Sequence, residues 1–230
     1  MKTIGLIGGM SWESTVTYYQ WLNRLAREKL GGLHSAKLLL WSFDFADIAA
    51  HQAKGDWESA TGDMVNAARN LEKGGAQCIV ICTNTMHKLA EAVQNEVDLP
   101  LIHIADATAA AIHLSSSTAP LLLATRYTME QDFYRGRLQT EHGISTRIPD
   151  EPDRTSVHET IYNELCRGRI LPESKIRLMD IVKQSVKQGA DSVILGCTEI
   201  GLLVSRDDFD IPVFDTTELH ARAAFDFSLR

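Results

Sequence analysis

The chain reads as α/β, two related halves that are each a doubly wound parallel sheet. Three observations lead there. Gly75-Ala76-Gln77-Cys78-Ile79-Val80-Ile81-Cys82-Thr83-Asn84-Thr85 aligns without a gap on Gly189-Ala190-Asp191-Ser192-Val193-Ile194-Leu195-Gly196-Cys197-Thr198-Glu199, an offset of 114 in a chain of 230 residues. Pro100-Leu101-Ile102-His103 and Pro212-Val213-Phe214-Asp215 repeat at an offset of 112. Strand and helix patterns alternate from end to end, which is how parallel sheets are built from crossover units. A repeat of half the chain length brings Thr83 and Cys197 to equivalent places, beyond the carboxyl ends of strands where such sheets bind ligands.

The elements follow in order. Thr3 to Ile7 is a strand, and Gly8-Gly9-Met10-Ser11 turns it into a helix whose apolar positions Val16, Tyr19, Leu22, Ala26 and Leu30 share one face before Gly31-Gly32 ends it. Leu38 to Phe43 is the next strand. The segment from Asp44 to Trp57, with Gln52 and Lys54, reads as a long loop, and such loops are often functional. A helix from about Glu58 to Lys73 leads to the strand Cys78–Cys82, the turn Thr83-Asn84-Thr85-Met86-His87 and a helix to about Asn95. Pro100 to Ile104 is a strand, followed by an alanine-rich helix from Asp106. The second half opens on the strand Pro120–Ala124 and the turn Thr125-Arg126-Tyr127-Thr128. Helices follow at about Met129–His142, Ser156–Arg167 and Glu173–Gln188, then the Cys197 strand, the strand Pro212–Asp215 and a closing helix. The expected division is a first domain of residues 1–115 closed by 213–230, and a second of 116–212.

Composition narrows the function classes. A hydrophobic content of 44% supports ordinary cores, and a net charge of -7 with a pI near 5.6 argues against a nucleic-acid partner. The N-terminal stretch carries no apolar run long enough for a signal peptide or a membrane span, so a cytoplasmic protein is expected. The four cysteines Cys78, Cys82, Cys166 and Cys197 contain no C-x-x-C and are too sparse for a disulfide scaffold, which leaves reduced thiols. Gly5-x-x-Gly8-Gly9 does not fit a dinucleotide-binding glycine motif, and no P-loop is present.

Four blocks taken together are specific: Gly8-Gly9-Met10, Asn84-Thr85-Met86-His87, Ala124-Thr125-Arg126-Tyr127-Thr128 and Gly196-Cys197-Thr198-Glu199. In order and spacing they resemble the cofactor-independent aspartate/glutamate racemase superfamily, with the bacterial aspartate racemase branch of broad amino-acid specificity the most similar part. The resemblance covers the whole chain. It implies two pseudo-symmetric domains with the active site between them, an amino-acid substrate, no pyridoxal phosphate, no metal, and a homodimer. Members of the family usually carry two cysteines, one on each face of the substrate's α-carbon. Here the second is Cys197, while the position of the first holds Thr83. By the same resemblance Met10, Gln52, Asn84, Thr85, Thr125, Thr198 and Glu199 are expected to bind substrate.

A threonine in place of a thiol changes the chemistry. Cysteine forms a thiolate from a reference pKa of about 8.5, and a helix N-terminus after Cys197 would lower that value. A threonine hydroxyl donates a hydrogen bond or relays a proton, but does not wait as an alkoxide. The two faces should therefore be unequal, and the resemblance implies that Cys197 is the one acting on L-amino acids. Cys82 alternates with Thr83 along its strand and should face a core, and Cys78 and Cys166 are read as packing or surface residues. Asn84, Thr85 and Thr198 could equally cap the helices they open. Glu199 is read as the acceptor of a substrate ammonium, with the helix dipole as the alternative use. His87 and His103 are read as structural. Arg126, Arg167 and Lys54 are the candidate cations for an acidic side chain. The rival functions are a single-cysteine decarboxylase or isomerase of small dicarboxylates, and a non-catalytic amino-acid-binding module.

Overall fold

The structure, a computed structural model, describes residues 1–230. It divides into two compact units, Met1–Ile104 with His220–Arg230, and Ala105–Leu219.

The first unit contains β1 (Ile4–Gly8), α1 (Trp12–Leu30), β2 (Leu38–Ser42), α2 (Phe45–Lys54), α3 (Trp57–Lys73), β3 (Cys78–Ile81), a 3-10 segment (Thr85–Leu89) and α4 (Ala90–Gln94). Its sheet is parallel in the order β2-β1-β3, extended by a single parallel bridge from Ile79 to Leu101. Successive strand residues point to opposite faces, and at β1 and β3 both faces are covered. Ile4, Leu6, Cys78, Val80 and Cys82 pack with Tyr18, Leu22, Leu25 and Ala26 of α1 and with Ala221, Ala224 and Phe225 near the C-terminus. On the other face Ile7, Ile79 and Ile81 pack with Ile48 of α2 and Met64, Ala67, Ala68 and Leu71 of α3. Burial on both faces explains why these strands are continuous apolar runs rather than alternating ones.

The second unit contains α5 (Ile104–His113), β4 (Pro120–Leu123), α6 (Arg126–Glu130), α7 (Asp132–His142), α8 (Asp153–Asn163), α9 (Pro172–Lys187), β5 (Ser192–Leu195), α10 (Ile200–Leu203) and β6 (Val213–Asp215), and α11 (Thr216–Ser228) begins in it. Its sheet is parallel in the order β4-β5-β6, with a parallel bridge from Leu121 to Arg147 on the far side of β4. Counting the bridges, the two sheets have the same strand order, and β3 of one corresponds to β5 of the other.

Several expectations need correction. The segment Asp44–Trp57 is not a loop: Asp44 accepts from the Ala46 N–H and caps α2, which Gly55 ends in the left-handed region. Pro100–Ile104 forms only the Leu101 bridge rather than a full strand. On α1 the buried stripe runs through Thr15, Tyr18, Leu22, Leu25 and Ala26, while Val16, Tyr19 and Leu30 are exposed. The helix is apolar over a wider arc than the sheet covers. The division also lies elsewhere than expected. Residues 105–115 group with the second unit, where Asp106 holds both Arg137 and His142. So do residues 213–219, since β6 pairs with β5. No helix is long and apolar enough to cross a membrane.

Candidate functional site

In the second unit the corner after β5 is the chemically unusual place. Cys197 is buried, and its thiol donates to Glu199 Oε2 at 2.9 Å. The Thr198 hydroxyl donates to the same oxygen at 2.8 Å. Gly196 lets this corner close: a Cβ there would lie 2.5 Å from Leu122 Cδ1 and 3.1 Å from the Ala124 Cβ. Burial pushes the Cys197 thiol well above its ordinary pKa, and the Glu199 carboxylate and then Cys166 push in the same direction. The expected lowering by a helix N-terminus does not occur. The helix that follows is the four-residue α10, which starts at Ile200, and a buried carboxylate stands beside the sulfur instead. Glu199 is its N-cap residue but makes no capping bond with its side chain.

Across the second sheet, Thr125 caps α6 by accepting from the Thr128 N–H, and its hydroxyl lies 3.2 Å from the Thr128 hydroxyl. His158 Nδ1 accepts from the Arg126 N–H, so that nitrogen carries no proton. Burial, then the Arg126 charge, hold His158 below the usual imidazole pKa. Its ring lies tilted at 4.8 Å from Tyr162 and edge-on at 6.0 Å from Tyr127. The Tyr162 phenol is pushed far up, first by burial and then by Tyr127, Cys166, Cys197 and Glu199. Tyr162 therefore stands near the thiol corner with His158 and Tyr127 beside it, and sequence reasoning missed them as a group. Their only signal was Tyr127 in the Thr125-Arg126-Tyr127-Thr128 block, since Tyr162 and His158 join it through α8 packing. Arg126 is exposed and donates to the Thr155 hydroxyl at 2.8 Å, and Arg167 lies in the 3-10 segment Leu165–Arg167.

In the first unit the corner after β3 carries Thr83, half-buried at the strand end. Its carbonyl accepts from His87 Nδ1 at 2.7 Å, and His87 Nε2 accepts from the Ile104 N–H at 3.1 Å. That pairing requires the neutral Nδ1-protonated tautomer. A second histidine is fixed in the same way, His220 Nε2 donating to the Ile102 carbonyl at 2.6 Å and Nδ1 accepting from Tyr18 at 2.8 Å. The His87 ring stands edge-on to His103 and His220. Asn84 and Thr85 are buried at the start of the 3-10 segment, and Asn84 makes no capping bond with its side chain. Gln52 is buried on α2 with Nε2 3.2 Å from Met86 Sδ, and Met10 is buried in the α2/α3 core. Lys54 ends α2. Thr83, Asn84 and Thr85 thus share one corner, while Cys197, Thr198 and Glu199 share the other with Thr125 on the neighbouring strand end. Cys82 is fully buried in the α1-side core and its thiol is pushed far up by burial alone. Cys78 is pushed up to about 11, again mainly by burial.

The chain is similar to proteins of known structure along its whole length. A Yersinia pestis protein whose crystal structure is described as that of a candidate Asp/Glu racemase shares 52% identity over 100% of both chains, with a TM-score of 0.92. An aspartate racemase homologue from Pyrococcus horikoshii shares 34% identity over 100% of both, with a TM-score of 0.86. The broad-specificity amino-acid racemase RacX of Bacillus subtilis is 23% identical over 160 residues, 70% of this chain and 68% of that one. The family model described as Asp/Glu/Hydantoin racemase matches residues 7–224, and the chain belongs to that family.

Proposed function

We propose that the chain is a cofactor-independent racemase of aspartate, glutamate and other L-amino acids, with Cys197 as the α-proton base. The observation that carries this reading is the buried thiol donating to the Glu199 carboxylate at 2.9 Å. A thiol held up by burial and a neighbouring anion rests protonated, so the base must be made when it is needed. Glu199 takes the Cys197 proton, and a substrate ammonium beside the pair offsets the negative charge left on sulfur. The thiolate then takes the α-hydrogen of the L-amino acid, and the electron pair of the broken C–H bond is held on the α-carbon and its carboxylate.

In this reading Thr83 supplies the opposite face, its hydroxyl relaying a proton from water to the α-carbon while Glu199 gives up its proton to the hydroxide left behind, so that the net change is inversion alone. Asn84, Thr85 and Thr198 provide donors for the α-carboxylate, with Met10, Gln52 and Thr125 bounding the substrate. Because a hydroxyl is a poor base, release of the α-hydrogen from D-amino acids is the slow direction. The test is exchange of the α-hydrogen with deuterium from solvent across a panel of L- and D-amino acids. Exchange into L-substrates that Cys197→Ser abolishes is expected. Equal initial rates from both enantiomers would overturn the unequal-face mechanism, and loss of carbon dioxide would identify a decarboxylase instead.

A further inference from the structure

The two corners hold their strand-end peptides by different means. In the second unit the Cys197 carbonyl accepts from a backbone amide, the Ile200 N–H at 3.1 Å. In the first, the equivalent Thr83 carbonyl accepts from a side chain, His87 Nδ1 at 2.7 Å. The offset of 114 sets Gly201 against His87, so the second corner has no side chain there, and a Cβ would already lie 3.2 Å from Asp215 Oδ2. The Thr83 N–H turns back to the Ile81 carbonyl at 2.9 Å, which takes this peptide out of the sheet ladder and leaves its setting to local bonds. His87 is itself firmly held. It is 3% exposed, its Nε2 accepts from the Ile104 N–H, and its ring stands edge-on to His220, which bonds both the Ile102 carbonyl and Tyr18. A buried ring bonded at both nitrogens has one tautomer and one setting.

We propose that His87 is a positioning residue for the reaction, a role that stands on Thr83 serving the second face. By holding the Thr83 carbonyl it holds that residue's hydroxyl where a proton is relayed to the α-carbon. A neutral hydroxyl relays a proton only across a hydrogen-bonding distance, and a displacement of about 1 Å can cost about 10²-fold. The hydroxyl corner therefore carries a side-chain clamp that the thiol corner lacks.

Two amide replacements separate the two bonds of His87. In His87→Asn the amide nitrogen takes the position of Nδ1 and keeps the bond to Thr83. In His87→Gln the amide takes the position of Nε2, where its oxygen accepts from Ile104, and the bond to Thr83 is lost. The quantity to read, in heavy water and per folded molecule, is the ratio of D-product formed to deuterium gained by the recovered L-substrate. The first reports the Thr83 face and the second the Cys197 face. His87→Gln should lower this ratio about 10–100-fold, and His87→Asn should keep it. Thr83→Ala should lower the ratio by itself, and adding His87→Gln to it should lower it no further. A merely structural histidine would cost stability in both single variants and move the ratio in neither. A ratio kept in folded His87→Gln, or lost in His87→Asn, would overturn the proposal, and His87→Asn decides alone if His87→Gln does not fold. A wild type that exchanges no L-amino acid would overturn the proposed function itself, and one that exchanges without forming D-product would overturn the role of Thr83; the role of His87 falls in either case.

Discussion

The corners after β3 and β5 grow from the same sequence repeat, yet they differ in three successive positions. Where the first unit has Cys82-Thr83-Asn84, the second has Gly196-Cys197-Thr198. In the first, the thiol points into the α1-side core and the strand end carries a half-buried hydroxyl whose carbonyl is pinned by His87. In the second, the core-facing position is empty of side chain because Leu122 and Ala124 fill it, and the thiol moves one residue on, against Glu199. One residue of displacement moves the cysteine from an apolar core to a corner where its thiol meets a carboxylate, because alternate strand residues face opposite ways. Equivalent backbone positions thus hold groups of very different acidity.

The sharpest way to break this contrast is at the thiol itself. Cys197→Ser should lower α-hydrogen exchange from L-amino acids by about 10²–10⁴-fold while leaving the fold intact. Glu199→Gln bears on the same pair. It removes the like-charge push on sulfur but not the burial, so the pH at which iodoacetamide alkylates Cys197 should fall, though not to that of a free cysteine. An unchanged alkylation profile would mean that the carboxylate does not set the thiol's acidity.

Making the corners alike should come next in size. Thr83→Cys restores a thiol to the first unit, and exchange from D-amino acids should rise by about 10²-fold relative to exchange from L. No change in the D-to-L ratio would mean that Thr83 does not serve the second face.

The interiors of the corners differ in a way that thermal unfolding can read. Gly196→Ala forces a methyl toward Leu122 Cδ1 at 2.5 Å and should cost about 1–3 kcal/mol. Cys82→Ser places a hydroxyl in an apolar core and should cost about 1–3 kcal/mol while leaving the exchange rate per folded molecule unchanged. A large loss of exchange in Cys82→Ser would assign that thiol a role the core packing does not give it.

The repeat made the paired sheets and both corners legible, because a parallel strand buried on both faces leaves a continuous apolar run ending in small residues. It also gave the orientation of Cys82 through alternation alone. What the sequence did not carry was set by tertiary packing. The state of Cys197 depends on how deeply it is buried and on the direction of the Glu199 side chain, neither of which is encoded by adjacency. The α1 stripe went wrong for a related reason: Val16 and Tyr19 are apolar, but the sheet is too narrow to reach them. Asp44–Trp57 reads as a loop in sequence, yet Asp44 and Gly55 are the two caps of a helix between them.

The smallest expected effect separates the two units at the other end of their strands. Gln77 and Asp191 are equivalent in the repeat, and each fastens the segment that enters the neighbouring strand. Gln77 Oε1 accepts from the Thr3 N–H at 3.0 Å. Asp191 accepts from the Thr118 and Ala119 N–H groups and from the Ser117 and Thr118 hydroxyls. Partial burial works to raise the Asp191 pKa, but these donors outweigh it and hold the carboxyl down at about 2. The unfolded-state value is about 3.9, so the ionised carboxyl stabilises the fold above about pH 4, and that contribution fades as pH falls toward 2. Asp191→Asn should therefore cost about 1 kcal/mol at neutral pH and nothing in strong acid. Gln77→Ala should cost less and by the same amount at every pH, because no proton is taken up there. Acid titrations of urea midpoints for the two variants would show one difference closing with falling pH and the other staying constant. Parallel curves for both would mean that the Asp191 bonds owe nothing to its charge.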